Sequence, residues 1–316
     1  MNVSGHNDVV TRRPTLDDLQ PVIDLINTCS VAEGGKPDST AESQLEDWQS
    51  PSFSLDADAW VVVAEGGQIV GYEQVNVRID GSPMELDGYV HPAHAGRGIG
   101  THLLRLAEGR ATHALAQADR RAPVSLRGAI ASANAAARRL FVAEGYQLIR
   151  HLWRMEIELR APPEPPAAPA GIAVRELVPG QDERAIYETI EAAFADHWEH
   201  VRPPFEEWLR ARTQRADFDP SLWFLAHEGG EVVGAVLGYP RGERAGWVKG
   251  LGVRSPWRGR GVGMALLRHA FAAMYRRGWQ TVGLGVDAES LTGATRLYER
   301  AGMRVTEQYE AYSKTL

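Results

Sequence analysis

The sequence has little cysteine, no long apolar run and no excess of positive charge. Its one cysteine, Cys29, excludes an internal disulfide and lies in a helical pattern, where a buried thiol is expected. No stretch approaches the roughly 20 apolar residues that span a bilayer, and the first residues lack a basic segment followed by an apolar core. The sequence therefore predicts a cytoplasmic protein with no membrane partner.

The net charge of −7 also gives no indication of a nucleic-acid partner. The 316 residues are enough for about two domains. A proline- and alanine-rich stretch at 161–171 divides the chain almost in half, and its prolines favour an extended spacer. We predict an N-terminal domain at 1–160, a linker at 161–171 and a C-terminal domain at 172–316.

The two halves repeat each other. Glu65-Gly66-Gly67 in the first half recurs as Glu228-Gly229-Gly230 in the second, 163 positions later. Gly98 and Gly261 are separated by the same interval, and so are Arg12 and Arg175. A register held over this length indicates an internal duplication.

Each half has the same predicted order of elements. A short strand and helical segments precede two β-rich runs joined by a Gly-Gly hairpin turn. A further strand, a glycine-rich loop, a helix, a strand, a fourth helix and two final strands follow. This order predicts an α/β (α+β) fold in each half, with a mixed, mostly antiparallel twisted sheet flanked by helices on both faces.

The glycine-rich loop of the second half spans 258–263 and reads Arg-Gly-Arg-Gly-Val-Gly. Glycines allow positive φ and a close ligand approach, and the helix that follows presents free N–H groups to phosphate oxygens. A Walker loop requires Gly-Lys-Ser/Thr, but Met264 follows Gly263. Met264 also occupies the position of the third glycine of a dinucleotide fingerprint. The loop alone predicts a different diphosphate ligand.

Arg258, Gly261 and Gly263 resemble the acyl-CoA signature Arg/Gln-x-x-Gly-x-Gly/Ala of the GNAT superfamily of N-acetyltransferases. The segment 297–303, Leu-Tyr-Glu-Arg-Ala-Gly-Met, resembles a second signature of that family. The resemblance covers nearly the whole chain twice. It implies two tandem GNAT folds, acetyl-CoA as co-substrate and no metal.

The resemblance also implies roles for individual residues. Loop N–H groups would bind the pyrophosphate, the preceding strand would run beside the pantetheine, and the Leu251 N–H would polarise the thioester carbonyl. Tyr298 would be the general acid for the departing thiolate. The implied coenzyme residues of the second half are Leu251, Gly252, Val253, Arg258, Gly259, Arg260, Gly261, Val262 and Gly263.

The general base stays open at this point. Acidic and histidine side chains near the first two helices of the second half are candidates, as is one lysine on the strand before the loop. They are Glu191, Asp196, His197, Glu199, His200 and Lys249. Tryptophans that could line an acceptor pocket, but are more often core residues, are Trp198, Trp208, Trp223 and Trp247.

The first half carries a weakened copy of the motifs. Ala95 stands where the second half has Arg258, and Phe141 stands where it has Tyr298, while Asn134 keeps an asparagine that is frequent in the family. We predict a degenerate N-terminal domain that still holds coenzyme but lacks this acid chemistry; the alternative is a domain that catalyses without a tyrosine. Its implied coenzyme residues are Gly96, Arg97, Gly98, Ile99 and Gly100.

The predicted reaction is direct attack of a small-molecule primary amine on the thioester, in the C-terminal domain of a monomer or homodimer. The tandem layout is similar to that of mycothiol synthases, which acetylate a cysteinyl amine. However, Trp247 stands at the strand position of their catalytic carboxylate. Acetylation of a protein or peptide and a non-catalytic acyl-CoA-binding module are further alternatives.

Overall fold

The chain forms two compact units in a computed structural model that describes residues 9–37, 39–50, 52–78, 82–118, 123–164, 167–195, 197, 200–215, 217–290 and 293–316. The N-terminal unit consists of Met1–Leu152 and Glu307–Leu316. The C-terminal unit consists of Trp153–Thr306.

The described residues contain strands and helices in the order that the duplication predicts. The strands are β1 (Val9–Arg12), β2 (Ala59–Ala64), β3 (Ile69–Asn76), β4 (Met84–Val90), β5 (Ser125–Ala131), β6 (Gln147–Glu158), β7 (Ala173–Glu176), β8 (Trp223–Glu228), β9 (Glu231–Pro240), β10 (Ala245–Val253), β11 (Thr281–Asp287) and β12 (Arg304–Thr315). The α-helices are α1 (Leu19–Ala32), α2 (Ala41–Trp48), α3 (Leu55–Asp58), α4 (Ile99–Gln117), α5 (Ala135–Ala143), α6 (Glu183–Phe194), α7 (Phe205–Thr213), α8 (Val262–Arg276) and α9 (Ala294–Arg300).

Each unit has a mixed sheet. In the N-terminal unit the strand order is β1-β2-β3-β4-β5-β12, and only β4 and β5 run parallel. In the C-terminal unit the order is β7-β8-β9-β10-β11-β6; the pairs from β7 to β10 are antiparallel, and β10 and β11 run parallel. The predicted fold class, two mixed and mostly antiparallel sheets, is confirmed.

Helices cover both faces of each sheet. In the N-terminal unit Val61 belongs to the apolar cluster of helix α1, whereas its neighbour Val62 belongs to that of α4. In the C-terminal unit Leu225 belongs to the cluster of α6, and Phe224 to that of α8. Consecutive strand residues point to opposite faces, so both faces of these strands are buried, which explains their continuous apolar runs.

The ends of the two halves differ from the sequence prediction. Two final strands were expected in each half, but each described half ends in a single twelve-residue strand, β6 or β12. Neither strand contains a glycine or proline that would divide it. The prediction of two strands is therefore wrong.

These final strands are exchanged between the units. Residues Tyr309–Thr315 of β12 pair antiparallel with Ala131–Ser125 of β5, and thus complete the sheet of the N-terminal unit. Residues 153–158 of β6 belong to the C-terminal unit, where β6 is adjacent to β11. The compact units therefore differ at their ends from a division of the sequence at the linker.

An arginine–aspartate pair fixes the start of both units. Arg12 donates two hydrogen bonds to Asp18, at 2.6 and 2.7 Å, and Arg175 donates two to Asp182, at 2.5 and 2.8 Å. Each carboxylate also accepts a backbone N–H, from Thr15 and Val178 respectively. The same bidentate pair in both halves reflects the duplication at atomic detail.

Candidate functional site

The glycine loop of the C-terminal unit connects β10 to helix α8. Gly259 and Gly261 have φ values of 75° and 87°, in the left-handed region that favours glycine. Gly261 is the N-cap of α8 and, as a glycine, has no side chain to cap the first turn. The free N–H groups of a fifteen-residue helix therefore lie at the loop, where they can bind an anion.

Strands β10 and β11 separate before they reach the loop. Their parallel pairing runs from Ala245–Thr281 to Val248–Leu284, whereas β10 continues to pair with β9 as far as Val253. A bulge interrupts the β9–β10 register between Val248 and Gly250. Leu251 and Val253 thus lie where β10 pairs on one side only, as a strand that accepts an extended ligand requires.

The two arginines of the loop contact protein groups. Arg258 donates to the backbone oxygens of Val253 and Ala193, at 3.0 and 2.9 Å, and so joins the loop to β10 and α6. Arg260 pairs with Glu228 at 2.6 Å, and this hydrogen bond lowers the pKa of the Glu228 carboxyl. Both guanidinium groups therefore brace the loop itself.

Tyr298 lies on helix α9, next to the loop. Its neighbour Leu297 packs where a Cβ on Gly263 would be, at 3.1 Å, which seats α9 against the first turn of α8. Tyr298 is 8% exposed, and its hydroxyl has no hydrogen-bond partner in the part of the chain that the structure describes. Burial raises the pKa of Tyr298 to about 12, so the phenol holds its proton at neutral pH.

The base candidates have different surroundings. Glu191 is buried on α6 and lies 2.8 Å from His200. His197 is exposed, and Lys249 is exposed at the β10 bulge with its Nζ 5.6 Å from the Tyr239 ring. Asp196 and Glu199 lie outside the described residues. Glu191 is thus the described carboxylate candidate that the fold buries.

The tryptophans separate into two groups. Trp208 and Trp223 are buried in the core under α6 and α7, with ring centroids 6.0 Å apart. Trp247 is partly buried, and the Arg241 guanidinium lies 4.2 Å from its ring centroid. Trp198 lies outside the described residues. Trp247 is the described tryptophan of this set that lies on β10.

The N-terminal unit repeats the geometry of the loop. Gly96 and Gly98 have φ values of 76° and 79°, and Gly98 is the N-cap of α4. Strands β4 and β5 separate after the pair Leu86–Gly128. A cavity of about 490 Å³ opens there, between the loop, the two strands and α5.

The side chains that distinguish the first half have structural roles. Phe141 packs against the rings of Tyr146 and Tyr312, with centroids 4.8 and 5.5 Å away. Asn134 caps helix α5 by accepting the Ala137 N–H at 2.9 Å, and its amide donates to Glu33. Arg97, on the loop, is exposed.

Two carboxyl groups that the sequence motifs did not predict as site residues border this cavity. Glu73 on β3 is 5% exposed, and its Oε1 has no hydrogen-bond partner among the described residues. Asp87 on β4 is partly buried and accepts a hydrogen bond from the Tyr89 hydroxyl. Burial raises the pKa of Asp87 to about 6 and that of Glu73 well above its usual range. In the sequence, Glu73 and Asp87 are acidic residues within apolar strands. The equivalent positions of the second half are Val236 and Gly250.

Within the described ranges, no group of three or more His, Cys, Asp or Glu side chains is arranged to hold a metal ion. No described helix is both long and apolar enough to cross a membrane.

Comparisons with known proteins agree with this geometry. The profile of the acetyltransferase (GNAT) family matches the chain twice, at residues 19–146 and 184–303. A mycothiol acetyltransferase of Cellulomonas flavigena is 37% identical over 78% of this chain and 72% of its own length. One from Thermobispora bispora is 31% identical over 92% and 94%. A crystal structure of a GCN5-related N-acetyltransferase from Sphaerobacter thermophilus is 40% identical, covers 97% of this chain and 95% of its own, and superimposes with a TM-score of 0.88.

Proposed function

The chain belongs to the acetyltransferase (GNAT) family, and we propose that its C-terminal unit transfers the acetyl group of acetyl-CoA to the primary amine of a small molecule. The chain is an acyltransferase, and acetyl-CoA is its co-substrate. The assignment of the reaction to the C-terminal unit rests on Tyr298. It is a buried, protonated phenol on the helix that packs against Gly263 of the loop.

Acetyl transfer requires protein groups that bind the pyrophosphate of the coenzyme, stabilise the oxyanion and protonate the thiolate. The α8 N–H groups and the loop from Arg258 to Gly263 would hold the pyrophosphate. The β10 backbone from Leu251 to Val253 would lie beside the pantetheine, and the Leu251 N–H would stabilise the oxyanion. The free amine attacks the carbonyl carbon, the C–N bond forms and the C–S bond breaks. Tyr298 gives its proton to the thiolate and regains one from the attacking nitrogen, directly or through water.

A second reaction is favoured by the relatives. Two relatives that match most of this chain are named mycothiol acetyltransferase, so the cysteinyl amine of the mycothiol precursor is the second candidate acceptor. Trp247 separates the candidates, since an indole cannot take the proton that a carboxylate would take at this position. We assign the proton-accepting role in the C-terminal unit to Glu191 with His200, either directly or through water. We also propose a cytoplasmic enzyme that acts as a monomer or homodimer.

Acetyl-CoA turnover, followed by thiol release with a panel of amines that includes a cysteinyl glycoside, tests this proposal. Tyr298→Phe should lower kcat by roughly 10²-fold, with the affinity for acetyl-CoA unchanged. Tyr275→Phe, a partly buried tyrosine on α8, is the matched control and should keep the wild-type rate. A wild-type kcat in Tyr298→Phe with every amine would refute the assignment. Turnover of the cysteinyl glycoside alone would select the second candidate acceptor.

A further inference from the structure

Two carboxyl groups, Glu73 and Asp87, border the cavity of the N-terminal unit at positions where the C-terminal unit has Val236 and Gly250. In the β3–β4 register Glu73 faces Gly88, and in the β9–β10 register Val236 faces Leu251. A Cβ on Gly88 would lie 2.2 Å from Glu73 Oε2, so glycine at this position makes room for the acid. Glu73 and Gly88 thus form a matched pair that the other half lacks.

The Glu73 carboxyl is the independent sign of a ligand. It borders the cavity, it is 95% buried, and its Oε1 has no partner among the described residues. A buried polar atom without a hydrogen bond reduces the stability of a fold. The unpaired Glu73 carboxyl lies in the same cavity as the N-terminus of α4 and the open edge of β4. This combination indicates a binding site for a polar ligand.

We propose that the N-terminal unit is a second acyl-transfer site, which acetylates a small cationic primary amine and uses Asp87 to accept the proton of the ammonium group. The proposal rests on the proposed binding of acetyl-CoA at the loop from Gly96 to Gly100. Asp87 lies on β4 beside Gly88, where β4 has separated from β5. Its side chain borders the same cavity as the loop and the end of α5.

The step needs no tyrosine. The ammonium gives one proton to the Asp87 carboxylate, and the free amine attacks the carbonyl carbon of the thioester. The C–N bond forms, the C–S bond breaks, and the thiolate takes the proton that the attacking nitrogen loses. Asp87 then returns its proton to water, so the products are an amide, a thiol and one proton. Phe141, at the position of Tyr298, is compatible with this route.

The lining of the cavity defines the class of acceptor. Its ionisable lining residues include three carboxylic acids, Glu33, Glu73 and Asp87, and one arginine, Arg139, besides Cys29, Tyr89, His94 and Tyr309. Apolar side chains such as Leu86 and Ile130 form the walls. An acidic, partly apolar cavity of this size favours an alkylamine and disfavours an acceptor with a carboxylate next to the amine.

The test measures each site in the absence of the other. In Tyr298→Phe protein, acetylation of n-butylamine and 1,4-diaminobutane should persist and exceed that of glycine. Adding Asp87→Asn should lower kcat/KM by roughly 10²-fold, whereas Asp87→Glu should restore part of it. Glu65→Gln, at an exposed position in the turn between β2 and β3, is the control and should change nothing. Calorimetry with acetyl-CoA should give two sites per chain in every variant.

The outcomes separate the two proposals. If Tyr298→Phe abolishes turnover of every amine, or Asp87→Asn leaves the rate of Tyr298→Phe protein unchanged, the second site is refuted. If Asp87→Asn protein keeps its full rate when Tyr298→Phe is added, the proposed function of the C-terminal unit is refuted instead. One acetyl-CoA per chain, lost with Gly261→Val and kept with Gly98→Val, would also refute the second site.

A second measurement covers a folding defect in Asp87→Asn. The rate of the Tyr298→Phe enzyme should rise with pH through about 6, as Asp87 ionises. A flat profile between pH 5 and 7 would contradict the proposal. Titratable groups that interact electrostatically with Asp87 come from its own strand, from β3 and from α2; they are Glu85, Tyr89, Tyr72, Glu73 and Asp47. Others line the same cavity: Cys29, Glu33, His94, Arg139 and Tyr309.

Discussion

At the residue scale, the carboxyl groups of Glu73 and Asp87 distinguish the N-terminal unit from the C-terminal unit. Asp87 and Glu73 are held in strands at a cost, because their surroundings disfavour the charged form. Residues that reduce stability in this way are characteristic of functional sites. The same sheet positions in the C-terminal unit hold a glycine and a valine, which have no such cost.

Asp87→Asn should therefore stabilise the N-terminal unit above pH 6. The pKa of Asp87 is raised on folding, so its contribution to stability is fully present below the unfolded pKa, near 4, and is lost as pH rises through about 6. The variant has no carboxyl to ionise, so at pH 8 its free energy of unfolding should exceed that of wild type by about 1–2 kcal/mol. The gain is limited to this size because the carboxyl is only partly enclosed. Thermal unfolding at pH 4 and pH 8 measures the effect. An equal difference at both pH values would contradict it.

The sequence predicts residues that lie in contiguous motifs and misses those that a tertiary contact creates. Tyr298 and the loop glycines are recognisable because each motif forms one local structure. Asp87 is isolated in its strand, and only the separation of β4 from β5 gives it a cavity. Arg258 was predicted to contact phosphate, which stays a prediction; its contacts with two backbone carbonyl groups are ones that no local pattern reveals.

At the scale of elements, the repeated arginine–aspartate pair joins the first strand of each unit to the start of its first long helix. Asp18 and Asp182 are 10% exposed at the side chain, and their arginines 43% and 42%. The hydrogen bond from the arginine lowers the pKa of each aspartate. In each pair the aspartate is buried and its carboxylate also accepts a backbone N–H. Such an ion pair is stronger than one between two exposed side chains.

Asp18→Asn and Asp182→Asn should each destabilise their own unit by about 1–3 kcal/mol at pH 7. Because the folded pKa is lowered, this stability is present above the unfolded pKa and is lost as pH falls through the folded value. The difference from wild type should thus shrink toward pH 3. Hydrogen exchange of the α1 and α6 amides locates the effect. Glu158→Gln, which breaks the exposed pair with Arg160, is the control; a loss no larger than in this variant would contradict the prediction.

The hairpins were predictable because two consecutive glycines, with φ of 97° and 89° in one unit and 58° and 88° in the other, suit a tight turn. The final strands, β6 and β12, were not predictable in this way. Their hydrogen-bond partners lie in the other half of the sequence, and no local pattern encodes a partner.

At the scale of the whole molecule, the exchange of β6 and β12 defines which segments can fold alone. Tyr312 of β12 is buried in the core of the N-terminal unit, and Glu310 pairs with Arg138 at 2.6 Å. Met155 of β6 is fully buried in the core of the C-terminal unit. Each sheet therefore needs a strand from beyond the linker.

Fragments provide a direct comparison. Residues 153–306 should fold alone and unfold cooperatively, whereas 172–316, which lacks β6, should not. Fragment 1–160 should fold only when a peptide of residues 304–316 is added. Thermal unfolding and hydrogen exchange of the purified fragments measure this. Cooperative unfolding of 172–316 and 1–160 by themselves would show that the exchanged strands are dispensable.

The exchanged strands also affect how the gene for this chain can be divided by recombination. A gene break at the proline linker would give each daughter protein a sheet with one strand missing and another left over, so recombination at this point is penalised. The two halves are thus inherited together, and one half can lose a motif while its strand remains indispensable to the other. A duplicated gene of this kind is free to diversify its two sites without becoming two genes.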